Sequence, residues 1–116
     1  MRRYAAELIG TYALVFAGTG AIVINEQTGA LGHFGVAATF GLIVLAMIYA
    51  FGDLSGAHLN PAVTLGFVVA KRFPVKEAAP YIVAQLSGAL LASLTLRFLF
   101  PENATLGATF PAGSEM

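Results

Sequence analysis

An Asn-Pro pair heads an apolar run too short to cross a bilayer, and this one feature most restricts how the chain can fold. Asn60 and Pro61 read as a helix start: Asn is among the best N-caps, and Pro suits the first helical position, where an N–H would have no partner. Lys71-Arg72-Phe73-Pro74 closes the run, which leaves a helix over 61–70. At ~1.5 Å per residue it reaches ~15 Å, about half of a ~30 Å hydrocarbon core. Longer apolar runs lie on either side, so the sequence predicts a re-entrant segment whose N-terminus sits near the bilayer midplane.

The flanking runs are spanning candidates at 4–24, 34–52 and 78–100, each long enough for the core. The 116 residues are 58% hydrophobic and only 10% charged, which excludes a disordered chain and argues against a soluble globular one. A formal net charge of zero provides no basic footprint for nucleic acid. There is no Cys, hence no disulfide framework and no thiolate metal site. Met1-Arg2-Arg3 resembles the start of a secretory leader, but the run behind it is too long, contains Glu7 and has no clear cleavage site, so it reads as a retained membrane helix.

The predicted placement has chemical consequences. A helix N-terminus carries roughly half a positive elementary charge and several unpaired N–H donors. Near the midplane it repels cations and attracts the oxygen of a small dipole. Asn60 adds an amide with two donors and one acceptor. Gly56, Ala57 and His58 precede the cap and are expected to be non-helical, with free backbone carbonyls. Irregular backbone at membrane depth is tolerated where it is buried in protein or lines a watery cavity. Central donors and a ladder of carbonyls leading to them describe one wall of a pore for a small neutral polar molecule.

Elsewhere the residues support plainer readings. Glu7 is either an interfacial carboxylate or a buried acid facing the bundle interior. The polar, glycine-rich stretch 25–33 reads as a loop, with His33 a solvated loop residue. Phe40 alone reads as a lipid- or core-facing ring. Asp53 and His58 lack a third ligand, so no metal site is expected. Gly52 and Gly56 form a small-xxx-small pair, and Ala84, Gly88 and Ala92 place a close-packing stripe on one face of the last span. Gln85, Ser87, Ser93 and Thr95 need interior partners, and Arg97 sits where it can snorkel. The tail 101–116 is aperiodic. It contains the glycosylation pattern Asn103-Ala104-Thr105, a short pattern that arises by chance.

Ser55-Gly56-Ala57-His58-Leu59-Asn60-Pro61-Ala62-Val63-Thr64 resembles the first Asn-Pro-Ala loop of the aquaporin (major intrinsic protein) family. The likeness extends to Ala6-Glu7-Leu8-Ile9-Gly10-Thr11 and Ala84-Gln85-Leu86-Ser87-Gly88-Ala89, and so covers nearly the whole chain. Tyr81–Gln85, Leu94–Phe100 and Phe110–Ser114 are most similar to the nodulin-26-like branch and its bacterial relatives. The resemblance implies an all-α membrane fold: half of an inverted-repeat bundle, with three transmembrane helices and one re-entrant half helix. It implies pore or selectivity roles for Asn60, Pro61, Ala62, Phe40, Gly56, Ala57 and His58. Glu7 and Gln85 become supports behind the loop, and Phe40 falls in the narrow constriction, where water-selective members usually carry Phe and plant nodulin-26-like members usually do not. It implies neither cofactor nor enzymatic activity, and the residues themselves contain no nucleophile–base pair and no cofactor loop. The family has two such loops in two inverted halves. This chain has one, and 101–116 would be the linker towards the second.

Five basic residues, Arg2, Arg3, Lys71, Arg72 and Lys76, fall on one side of a three-span topology, and Arg97 falls near the other. This bias predicts a multi-pass protein of the cell membrane with a cytoplasmic N-terminus and an external tail. It also disfavours a dual-topology homodimer as the source of the inverted half. The expected partners are therefore the lipid bilayer, a second aquaporin-type repeat, and water or a small neutral solute such as glycerol, with a homotetramer when complete and no nucleic acid. The alternative is a non-conducting truncated subunit that associates with full-length channels. An unrelated transporter with a broken helix is a third reading.

Overall fold

The chain was analysed as a computed structural model, which describes residues 1–110. Four helices follow one another, with no strand among the described residues: α1 (Arg2–Thr28), α2 (Gly32–Ser55), α3 (Pro61–Val69) and α4 (Val75–Leu99). Three of them, α1, α2 and α4, are long and apolar enough to cross a membrane, at 27, 24 and 25 residues. At nine residues, α3 is ~14 Å long. The fold is all-α and has the make-up expected of the N-terminal half of an aquaporin bundle.

The helix ends follow from local chemistry. Helix α1 runs through Asn25–Thr28, residues expected in a loop, and stops at Gly29, whose φ of 68° any side chain would resist. The Asn25 side chain then closes the connection. Its Oδ1 accepts from the N–H groups of Leu31 (3.2 Å) and Gly32 (2.8 Å), so α2 begins almost at once. His33 accordingly lies in the first turn of α2 and not in a loop; it is exposed. Likewise Asp53–Ser55, expected in the connector, complete α2, which ends at Gly56 with φ 86°.

Helix α1 packs against both α2 and α4, and α3 packs against α4. The starts of α1 and α4 meet at one end of the bundle, where Arg3 Nη2 and the Tyr4 hydroxyl reach Glu77 Oε1 at 2.8 and 2.6 Å. The basic residues at 2, 3, 71, 72 and 76 therefore gather at this end. Ala84, Gly88 and Ala92 are buried on the face of α4 turned to α1, and a Cβ at Gly88 would collide with the Leu8 carbonyl. This is the close backbone approach that small residues permit where lipid supplies no hydrophobic drive. By contrast, α2 buries only Ser55 and leaves its apolar flanks open.

The tail folds back over the other end of the bundle. Arg97 Nη1 donates to the Asn103 carbonyl at 2.7 Å, and Gly107, at φ 79°, lies against the Thr19 carbonyl of α1. Residues 111–116 of the expected tail, with the Pro111–Ser114 part of the resemblance, lie outside the described residues.

Candidate functional site

The site is the stretch between α2 and α3 and the side chains that hold it. Gly56, Ala57 and Leu59 all take positive φ (86°, 49° and 60°). For Ala57 and Leu59 this costs roughly 1–2 kcal/mol each, so the conformation persists only where other contacts enforce it. The enforcing group is Glu7, which is fully buried. Its Oε2 accepts from Ser55 Oγ (2.8 Å) and the His58 N–H (3.0 Å). Its Oε1 accepts from the Leu59 N–H (2.9 Å) and Gln85 Nε2 (2.8 Å). Four donors thus surround one carboxyl, drawn from α2, the connector and α4. Buried carboxylates are stable only with this kind of saturation.

The hydroxyls of Thr64 and Tyr81 extend the network. Gln85 Nε2 also donates to Thr64 Oγ1 at 2.9 Å, and Thr64 Oγ1 lies 2.8 Å from His58 Nδ1. The tautomer of the His58 ring decides which of these two atoms donates. The ring is clamped by Phe67 and Phe73, each with its centroid 4.8 Å away, and by Tyr81 at 5.1 Å. The Tyr81 hydroxyl donates to the Ser55 carbonyl at 2.7 Å and fixes the last turn of α2. Gln85 Oε1 and Thr11 Oγ1 are buried without a partner among the described residues.

This scaffold presents Asn60 at its open side. Asn60 is extended (φ −161°, ψ 128°), caps α3 through Oδ1, which accepts from the Ala62 N–H at 2.7 Å, and is exposed. With Oδ1 committed to the cap, the Nδ2 donors are the uncommitted part of the amide. Pro61 occupies the first helical position, and Ala62 supplies the capped N–H. The carbonyls of Gly56, Ala57 and His58 have no hydrogen-bond partner among the described residues. A half-helix N-terminus, two amide donors and three free carbonyls are therefore held together by a buried carboxylate.

Phe40 lies elsewhere, ~22 Å along α2 from Ser55. Its ring covers Gly18 of α1 so closely that a Cβ there would overlap it. It lines an open cavity of about 480 Å³ between the far ends of α1 and α2, together with Ile22, Val36, Glu26, His33 and Thr109. The structure thus brings Glu7, Gln85, Gly56, Ala57, His58, Asn60, Pro61 and Ala62 into one assembly and leaves Phe40 to a second. Sequence reasoning missed Ser55, Thr64 and Tyr81 as members of the first. Their signal was faint: hydroxyls at the two ends of one short motif, and a Tyr four residues before Gln85.

Comparison with known proteins gives this geometry a family. The family model described as Major intrinsic protein matches residues 1–114. The chain is 51% identical over 110 residues to Aquaporin NIP1-4 of Oryza sativa subsp. japonica, covering 94% of this chain and 40% of that protein. It is 47% identical over 118 residues to Aquaporin NIP1-1 of Zea mays, covering 100% and 42%. It is 51% identical over 110 residues to Probable aquaporin NIP4-2 of Arabidopsis thaliana, covering 94% and 38%. The chain spans about two fifths of the length of the curated relatives it matches. With a matching family model over nearly its full length and NIP-type aquaporins among its relatives, this chain belongs to the major intrinsic protein family.

Proposed function

We propose that this chain forms the first half of a passive transmembrane channel for water and small uncharged solutes such as glycerol, and that it conducts once a second aquaporin-type repeat of opposite orientation completes the pore. The observation that carries this reading is the exposed Asn60 amide at the head of a half-length helix, fixed from behind by the four-donor Glu7. Asn60 Nδ2 donates to the oxygen of the permeant. The carbonyls of Gly56, Ala57 and His58 accept from it in single file, and Pro61 and Ala62 set the start of α3 beneath it. The positive end of α3 opposes cations at the same point. Phe40 narrows the path at a separate level. Glu7 and Gln85 support the loop and touch no permeant.

The open flanks of α2 support the need for a partner, since its apolar surface has neighbours on one side only. The cluster of basic residues around the starts of α1 and α4 supports a cytoplasmic N-terminus and an external tail in the cell membrane. A homotetramer is the assembly proposed for the completed channel.

Osmotic shrinkage of proteoliposomes tests the reading, with the chain alone and with the second repeat of a NIP-type relative co-reconstituted. Fast water flux is expected only in the second preparation and should disappear in Asn60→Asp, which puts an anion where a neutral donor is needed. Absence of flux from both preparations, with folded protein verified, would establish the non-conducting subunit instead.

A further inference from the structure

Asn103 is the main side-chain fastening of the tail, beside Arg97 Nη1, which also donates to the Pro101 carbonyl at 3.4 Å. Asn103 makes hydrogen bonds in three directions. Its side-chain Nδ2 donates to Glu26 Oε1 at the end of α1 (3.2 Å). Its carbonyl accepts from Arg97 Nη1 in the last turn of α4 (2.7 Å), and its N–H donates to the Phe100 carbonyl (3.1 Å). Its Oδ1 accepts from the N–H groups of Thr105 (3.1 Å) and Leu106 (2.7 Å), which bends the chain back. The bend delivers Gly107 to the Thr19 carbonyl of α1, and two residues on, Thr109 joins the wall of the cavity that contains Phe40. Glu26 belongs to both features: it holds Asn103 and lines the cavity.

We infer that Asn103 is a positioning residue that clasps the tail to α1 and α4, so that Thr109 forms a wall of the solute path beside Phe40 and helps to set which solutes pass. The selectivity part of this inference rests on the channel reading above; the clasp does not. A tail held at one place gives the cavity a fixed width. A released tail leaves Phe40 facing an open mouth, and size discrimination there is lost. Bulkier neutral solutes then gain on water.

The test exploits the absence of native Cys. Nitroxides on Ala30→Cys and Ala108→Cys, both exposed positions outside the cavity, report the distance from the tail to the α1–α2 connection by pulsed electron resonance. The parent should give one narrow distance. Asn103→Asp sets a second carboxylate against Glu26, and Glu26→Ala removes the acceptor while leaving the Asn103 turn intact. Each should raise the undocked population about tenfold, the change expected on losing one hydrogen bond to a charged group. Adding Glu26→Gln to Asn103→Asp restores a donor–acceptor pair of reversed polarity and should return the narrow distance, a rescue that general damage to the fold would not show. A broad distance in the parent, or no change in both single variants, overturns the clasp. In the channel completed with a second repeat, the glycerol-to-water permeability ratio should rise in Asn103→Asp and fall back in the double variant. A ratio unmoved while the distance broadens overturns the selectivity role. Absence of flux from the parent, with the narrow distance intact, refutes the channel reading and with it the selectivity role, and leaves the clasp established.

Discussion

Replacing Glu7 by Gln changes almost no volume, yet the four donors around it cannot all adjust. If the new amide nitrogen takes the place of Oε1, it faces the Leu59 N–H and the Gln85 amide, two donors that are both already fixed. If it takes the place of Oε2, it faces the Ser55 hydroxyl and the His58 N–H. The hydroxyl can turn, because Ser55 Oγ also lies 3.4 Å from the Phe51 carbonyl, so its proton has another acceptor. The His58 N–H cannot. The second placement is therefore preferred, and it leaves one buried N–H without an acceptor at about 1–3 kcal/mol. The two bonds at the remaining oxygen lose charge assistance, about 1 kcal/mol each. Relief of the desolvation cost of a buried charge offsets part of this sum, which leaves about 2–4 kcal/mol. At 1.36 kcal/mol per tenfold, local opening of the connector becomes about 30-fold to about 900-fold more populated. Amide hydrogen exchange in micelles reads this residue by residue. His58 should lose the most protection and Leu59 distinctly less, with α1 and α4 unchanged. Equal loss at both amides, or a protected His58 in a folded variant, would refute the orientation argued here.

Further outcomes follow from the same geometry. Thr64→Val removes the oxygen shared by Gln85 Nε2 and His58 Nδ1, leaves His58 Nδ1 without a partner and Gln85 Nε2 with Glu7 alone, and should lower stability to denaturing detergent by about 1–3 kcal/mol. Tyr81→Phe leaves the Ser55 carbonyl without its donor and should cost about 1–2 kcal/mol in the same titration, with the aromatic clamp on His58 kept. Gly88→Ala drives a Cβ into the Leu8 carbonyl and should part α1 from α4 at a cost of about 1–3 kcal/mol, seen as a lower unfolding midpoint. Gly66→Ala meets nothing within 4 Å and, as a helix-interior glycine, should gain about 0.5–1 kcal/mol in the chain alone.

The sequence showed some of this and hid the rest for identifiable reasons. Asn60 and Pro61 state a helix start in local terms, and Lys71-Arg72-Phe73-Pro74 states its stop, so α3 was readable to within a residue. The stripe Ala84, Gly88 and Ala92 was readable because the period of a helix puts those residues on one face. The last turn of α1 and the early start of α2 were not. They depend on Asn25 capping two N–H groups six and seven residues ahead, which no propensity encodes. Nor was the Tyr81–Ser55 bond, which joins two helices across 26 residues of chain. The folded-back tail escaped notice because its order comes from Asn103 and Gly107 meeting α1, not from any periodicity of its own.

The saturation of Glu7 also imposes an order in time. The Glu7 carboxyl is made before all of its donors, which arrive at 55, 58, 59 and 85, the last of them 78 residues later. At ~5–20 residues per second of synthesis, that interval is ~4–16 s. Until Ser55 is added, 48 residues after Glu7, α1 carries an acid with none of its permanent partners in existence, and the set is complete only with Gln85. The helix must keep its Glu7 end near headgroups and water until the connector is threaded in and α4 follows. Commitment of α1 to its final depth is thus delayed until α4 emerges, and α1 remains adjustable in the membrane over that interval.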